Sequence, residues 1–155
     1  MDFEHTFTVS VEWRGNRGAG TSDPRAFGRA SRITTPGAPP VEASAARPFH
    51  GDADRWNPET LLLAALAECH MLSYLSLAAR SGIRVEEYRG EAECSLAFDG
   101  ARGRITEATL RPRVVISAGD REAALALHDR AQEECFIAAS VAFPVRHEAE
   151  VELRG

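Results

Sequence analysis

The stretch from Asn57 to Arg80 constrains the fold more than any other part of the chain. Leu61 to Arg80 is built of Leu, Ala, Met and a few polar residues, with no Gly or Pro to interrupt it. Asn57 is a good N-cap, and Pro58 suits the first helical turn. Glu59 in that turn complements the positive end of the helix dipole. Gly82 supplies the stop. The helix is apolar nearly all round, so it is expected to be buried rather than to lie on a surface. Ala64, Ala65 and Ala67 allow a second helix to approach closely.

The cover for such a helix must come from the flanking segments, and these alternate. Phe7, Val9, Val11 and Trp13 fall on one side of His5–Trp13, the pattern of a half-buried strand. Gly15, Gly18 and Gly20 place Arg14 and Arg17 on a turn. Phe27–Thr34 and Val41–Phe49 read as further strands, the latter at a sheet edge because of Pro36, Pro39 and Pro40. Beyond the helix, Glu86–Asp99 and Arg104–Ser117 flank a turn at Asp99–Gly103. Asp120 caps a second helix, Arg121 to Cys135, and Cys135–Val141 is an apolar run of no clear type. Val145–Leu153 alternates as a closing strand. The expected fold is α+β: antiparallel sheets around central buried helices, in one domain spanning residues 1–155.

Composition narrows the function classes. The chain has 155 residues, 44% of them hydrophobic, and a net charge of −5. All of its basic residues are Arg. An acidic chain without a basic patch is a poor nucleic-acid binder. No uninterrupted apolar run of membrane-spanning length is present, so no membrane span is expected. Met1–His5 is acidic and unlike an export signal, which points to a cytoplasmic protein. Three cysteines, Cys69, Cys94 and Cys135, are too few and too scattered for a disulfide scaffold. Cys94 alternates with Ala92, Leu96 and Phe98 and is read as packing. Cys69 lies between Glu68 and His70 on the apolar helix, and Cys135 follows Glu133 and Glu134. Ionisable groups in apolar surroundings require a reason.

The segment Asn57-Pro58-Glu59-Thr60-Leu61 through Glu68-Cys69-His70-Met71 resembles the first-cysteine motif of the OsmC/Ohr family, the osmotically inducible and organic-hydroperoxide-resistance proteins. Cys135-Phe136-Ile137-Ala138-Ala139-Ser140 is similar to its second-cysteine motif. The pairing of Cys-His-Met with Cys-Phe-Ile-Ala resembles one branch of the family. Trp13–Thr21 resembles its first turn. The resemblance covers essentially the whole chain. It implies an intertwined homodimer and a thiol peroxidase for organic hydroperoxides, with hydrogen peroxide a second candidate. Cys69 would be the peroxidatic cysteine and Cys135 the resolving one. Glu59 and Arg17 would be their charged partners, with Arg14 a rival for the arginine. No bound cofactor is implied; the reductant would be an external thiol or a lipoylated protein. Gln132, where the family often has His, and Phe136, where it often has Pro, depart from the pattern.

These residue types suit that chemistry. A thiolate attacks the O–O bond, and an ordinary Cys near pH 7 is only a few per cent thiolate. Ionisation alone therefore gains about 30-fold at most, partly offset by lower nucleophilicity. The larger share must come from charge stabilisation at the leaving oxygen, which a fixed guanidinium supplies. A carboxylate can hold that guanidinium by a bidentate pair. Glu59 and Cys69, however, are separated by about 15 Å along one helix. If both serve one site, Glu59 must come from a second copy, as in an antiparallel pairing of two such helices about a two-fold axis.

Two other readings compete. A metal site could draw on Cys69, His70 and Cys135 with His50 or His128. Residues i and i+1 of a helix point about 100° apart, so Cys69 and His70 can hardly share an ion. His70 then reads as a core or interface histidine, and no metal is expected. The second reading keeps the fold as a small-molecule binding module with little or no peroxidase turnover.

Overall fold

The computed structural model describes residues 4–155, so Met1–Phe3 of the N-terminal reading lie outside it. The chain is α+β and forms two compact units, Met1–Leu61 and Leu62–Gly155.

In the first unit, β1 (Ser10–Trp13), β2 (Ser31–Thr34) and β3 (Val41–Ala43) form an antiparallel sheet in the order β1-β2-β3. All three strands are shorter than the alternation suggests. Val41–Phe49 does not continue as a strand; a 3₁₀ turn, Arg47–Phe49, takes over where Pro48 removes a donor. The expected half-burial of β1 is also corrected. Phe7 is 91% exposed and Val9 and Val11 are exposed beside it, because β1 is an edge strand that no described element covers.

The turn after β1 is held tightly. Trp13 Nε1 donates to the Gly28 carbonyl at 2.9 Å, and the Gly28 amide donates to the Gly15 carbonyl at 2.8 Å. A Cβ on Gly15 would stand 1.8 Å from the Gly28 oxygen. Gly15→Ala must push two backbone segments apart, so a loss of about 1–3 kcal/mol is expected. Thermal melting checks this, and an unchanged Tm would contradict the packing described.

The helix α1, Pro58–Arg80, begins where the sequence places it. Asn57 Oδ1 accepts from the Thr60 amide at 2.9 Å, and Thr60 Oγ1 accepts from the Asn57 amide at 3.1 Å, a reciprocal cap. Gly82 ends it with φ +70°. By length and by a mean hydropathy of 1.6 in its most apolar window, α1 could cross a bilayer, contrary to the reading of the linear sequence. It serves here as a core helix. It is not buried all round, as expected, but along one stripe, Leu66, His70, Tyr74, Leu77 and Ala78.

In the second unit that stripe meets α2 (Arg121–Glu133) and the long strands β4 (Arg84–Asp99) and β5 (Arg102–Ala118). Tyr74, Leu77, Val114, Ile116, Ala124 and Leu127 form the centre of this core. Tyr74 donates its hydroxyl proton to the Ala124 carbonyl at 3.1 Å. Asp120 caps α2 through the Ala123 amide at 2.7 Å. The closing segment corrects the antiparallel reading. It forms two strands, β6 (Val145–His147) and β7 (Glu150–Leu153), and both run parallel to β5. The α2 crossover returns the chain in the same direction. The two strands keep one register, and their break lies opposite Pro112, which has no N–H to donate.

Candidate active site

Cys69 lies in the middle of α1, one position before the buried stripe residue His70, so its side chain leaves the core and is half-buried. Cys135 follows the C-cap Glu134 rather than lying within α2, because the helix ends at Glu133. The chain turns there, and Ala139 N donates to the Cys135 carbonyl at 3.0 Å. This turn buries Cys135 to 1% exposure. Its Sγ accepts from the Ala138 amide at 3.4 Å, and the Ile137 amide beside it also favours charge on the sulfur. Its other neighbour is the Cys69 side chain. Neither cysteine is in a disulfide. Burial, and then the Cys69 side chain, push the Cys135 thiol up, while the two amides pull the other way.

Cys69 opens onto a pocket of about 650 Å³ that runs along α1. Ala65, Leu72, Phe136 and Ile137 give it apolar walls, and Arg80 with Glu134 stands at its far end. Phe136 is 81% exposed at this wall, although it is a large aromatic. Arg80 Nη2 lies 3.4 Å from Glu134 Oε2, and Arg130 meets the other oxygen of the same carboxylate at 3.4 Å. The sequence reading does not single out Arg80 or Glu134. The spacing Cys69, Leu72, Ser73, Ser76, Arg80 along one helical face is a signal for Arg80; Glu134, at the C-cap of α2, has none.

The other candidate residues lie in the first unit. Glu59, in the first turn of α1, has a buried Oε2 with no hydrogen-bond partner among the described residues. Arg14 is engaged by Glu12 at 2.8 Å. Arg17 is exposed on the glycine turn and makes no ion pair among the described residues. That turn is shaped by Asn16 Oδ1, which accepts from the amides of Gly18 and Gly20 at 2.9 and 3.1 Å. Cys94 is only half-buried in β4, since Leu96 and Phe98 further along the strand are exposed.

His70 is a core histidine, as the sequence suggests. Its Nε2 lies 3.0 Å from Nδ1 of His128, with the two rings nearly parallel and their centroids 5.3 Å apart. Tyr74 stacks on His128 at 4.0 Å, and His147 completes the cluster with Nε2 3.0 Å from Asp129 Oδ1. Burial lowers His70 to about 4 and His128 to about 3, so both are neutral at pH 7. Gln132 also faces inward, donating Nε2 to the Val145 carbonyl at 2.8 Å. Among the described residues no three His, Cys, Asp or Glu side chains form a group that could hold a metal.

The family model for OsmC-like proteins matches residues 51–150, from before the cap of α1 to the first residue of β7. The chain belongs to the OsmC family. An OsmC-like protein of unknown function from Vibrio cholerae is 30% identical and superposes with a TM-score of 0.84, over 94% of this chain and 99% of that one. The uncharacterized protein YmaD of Bacillus subtilis is 27% identical over 98% of both chains. OhrB of B. subtilis, an organic hydroperoxide resistance protein, shares the fold at 24% identity and a TM-score of 0.60, over 94% of this chain and 98% of that one. The two thiols and the pocket thus lie on an OsmC fold, which proteins named for organic hydroperoxide resistance share.

Proposed function

We propose that this OsmC protein is a cysteine peroxidase that reduces organic hydroperoxides at the expense of external thiols. The observation that carries this reading is the contact between a half-buried Cys69, open to an apolar pocket, and a buried Cys135. The Cys69 thiolate attacks the terminal oxygen of ROOH. The O–O bond breaks, Cys69 becomes a sulfenic acid, and the alkoxide takes a proton to leave as ROH. Cys135 then attacks the sulfenic sulfur, water departs, and a Cys69–Cys135 disulfide remains. Two equivalents of thiol, or one dithiol such as a lipoylated protein, reset the pair. A pair that must be reset this way fits a cytoplasmic location.

Charge stabilisation at the leaving oxygen is assigned to Arg17, oriented by Glu59. The rise of α1 keeps Glu59 about 15 Å along the axis from the Cys69 of its own chain. The site is therefore composite, and Glu59 is supplied by a second copy in a homodimer. Two observations support this: the unpartnered buried oxygen of Glu59, and the uncovered apolar side of β1. No nucleic acid, membrane, metal or bound cofactor enters the scheme.

The test is consumption of cumene hydroperoxide with dithiothreitol as reductant. Wild type is expected to turn over, and Cys69→Ser to fall to the uncatalysed background. Equal rates in the two proteins would refute the assignment. No consumption by wild type, with thiols unchanged, would favour a binding module on the same fold. An active species that sediments as a monomer would remove the composite site.

A further inference from the structure

The reduction step has two possible targets, because an incoming thiol can attack either sulfur of the Cys69–Cys135 disulfide. We propose that it attacks Cys69, so that the external thiol becomes bound to Cys69 and Cys135 departs as the thiolate. This inference rests on the peroxidase reading above for the existence of the disulfide, but not for its direction of opening.

Access is the first argument. Thiol–disulfide exchange is an in-line displacement, so the nucleophile needs open space behind the sulfur it attacks. Cys69 lines the pocket, with Ala65, Leu72 and Ser73 beside it on the same helix face. Cys135 is 1% exposed and does not line that pocket, although its neighbours Glu134, Phe136 and Ile137 do. The turn that places those three residues at the surface folds Cys135 inward.

The fate of the leaving group is the second. Sγ of Cys135 already accepts from the amide of Ala138 at 3.4 Å, and the Ile137 amide also favours charge there. These donors are aimed at the atom on which negative charge appears when Cys135 departs. Burial opposes that charge, and so does negative charge on the neighbouring Cys69 side chain in the reduced protein. Once Cys69 is bonded to the external thiol it carries no negative charge, and burial is what remains against the amide donation. Access and leaving-group stabilisation thus favour the same sulfur.

The balance is simple. RS⁻ forms a bond to Sγ of Cys69, the Cys69–Cys135 bond breaks, and Cys135 takes the electron pair. A second thiolate then attacks the external sulfur, releasing the disulfide of the reductant and the Cys69 thiolate.

The test uses wild-type protein oxidised with diamide, so that the disulfide does not depend on peroxidase activity. It is then exposed briefly to 2-mercaptoethanol, quenched with acid, alkylated with N-ethylmaleimide and digested. Mass spectrometry is expected to find mercaptoethanol on Cys69 and N-ethylmaleimide on Cys135, in at least tenfold excess over the reverse pattern. The reverse pattern, or an even mixture, overturns the proposal. So does failure of diamide to link the two cysteines. A disulfide that forms with diamide but not with cumene hydroperoxide would refute the peroxidase reading alone, and the adduct pattern would still decide this one.

Discussion

Cys135→Ser protein is expected to reduce one equivalent of cumene hydroperoxide per chain at the wild-type rate and then stop. The first chemical step needs only Cys69 and the groups that stabilise the leaving oxygen, and none of these is Cys135. What the variant lacks is the thiol that neighbours Cys69. The Cys69 sulfenic acid then has no internal partner. It persists until an external thiol meets it or further peroxide drives it to sulfinic and sulfonic acid, which thiols do not reverse. Stoichiometric peroxide loss, followed by dimedone labelling of Cys69, checks this. Full multiple turnover with a slow reductant would show that Cys135 has no resolving role.

The second large effect concerns acid. Stability is expected to fall steeply as pH drops from about 6.5 towards 4. The sign follows from the buried pair: His70 and His128 titrate near 6.5 in the unfolded chain but at about 4 and about 3 in the fold. Across that window the unfolded state binds more protons, so acid favours unfolding. Each tenfold difference in proton affinity is worth about 1.4 kcal/mol. The pair therefore removes several kcal/mol from a typical total of about 10 kcal/mol. The groups around it offer little relief. Tyr74 stacks on His128, and His147, held to Asp129, is the nearest other titratable ring. A Tm shift of roughly 10 °C or more is expected between pH 7 and pH 4. Most of the pH 5–6.5 slope should disappear in His70→Leu/His128→Phe protein, because replacing both members of a buried polar pair leaves neither unpartnered. A flat wild-type profile over that range, or an unchanged slope in the double variant, would contradict this.

Much of this arrangement is written in local sequence. The Asn57 cap, the Gly82 stop, the Asp120 cap and the Gly100 turn each depend on neighbours within a few residues, and all are found. The pairing of Cys69 with Cys135 came from resemblance to a family, since no local pattern reports a contact between such distant positions. Alternation shows which residues of the closing strand face inward, not whether the strand runs parallel or antiparallel to its neighbour. Its break depends on Pro112 in another strand. Apolar composition says that α1 is to be covered but not by what; within the chain the cover is the single stripe of Leu66, His70, Tyr74, Leu77 and Ala78. His128 and His147 could not be picked out by spacing. They meet His70 only because α1, α2 and β6 converge.

The most direct test of the account is a thiol count. Fully reduced wild-type protein receives one equivalent of cumene hydroperoxide per chain, and its thiols are titrated and mapped by peptide. The account predicts that two thiols disappear into a Cys69–Cys135 disulfide while Cys94 remains alkylatable. Three thiols unchanged, or a disulfide that includes Cys94, would contradict it.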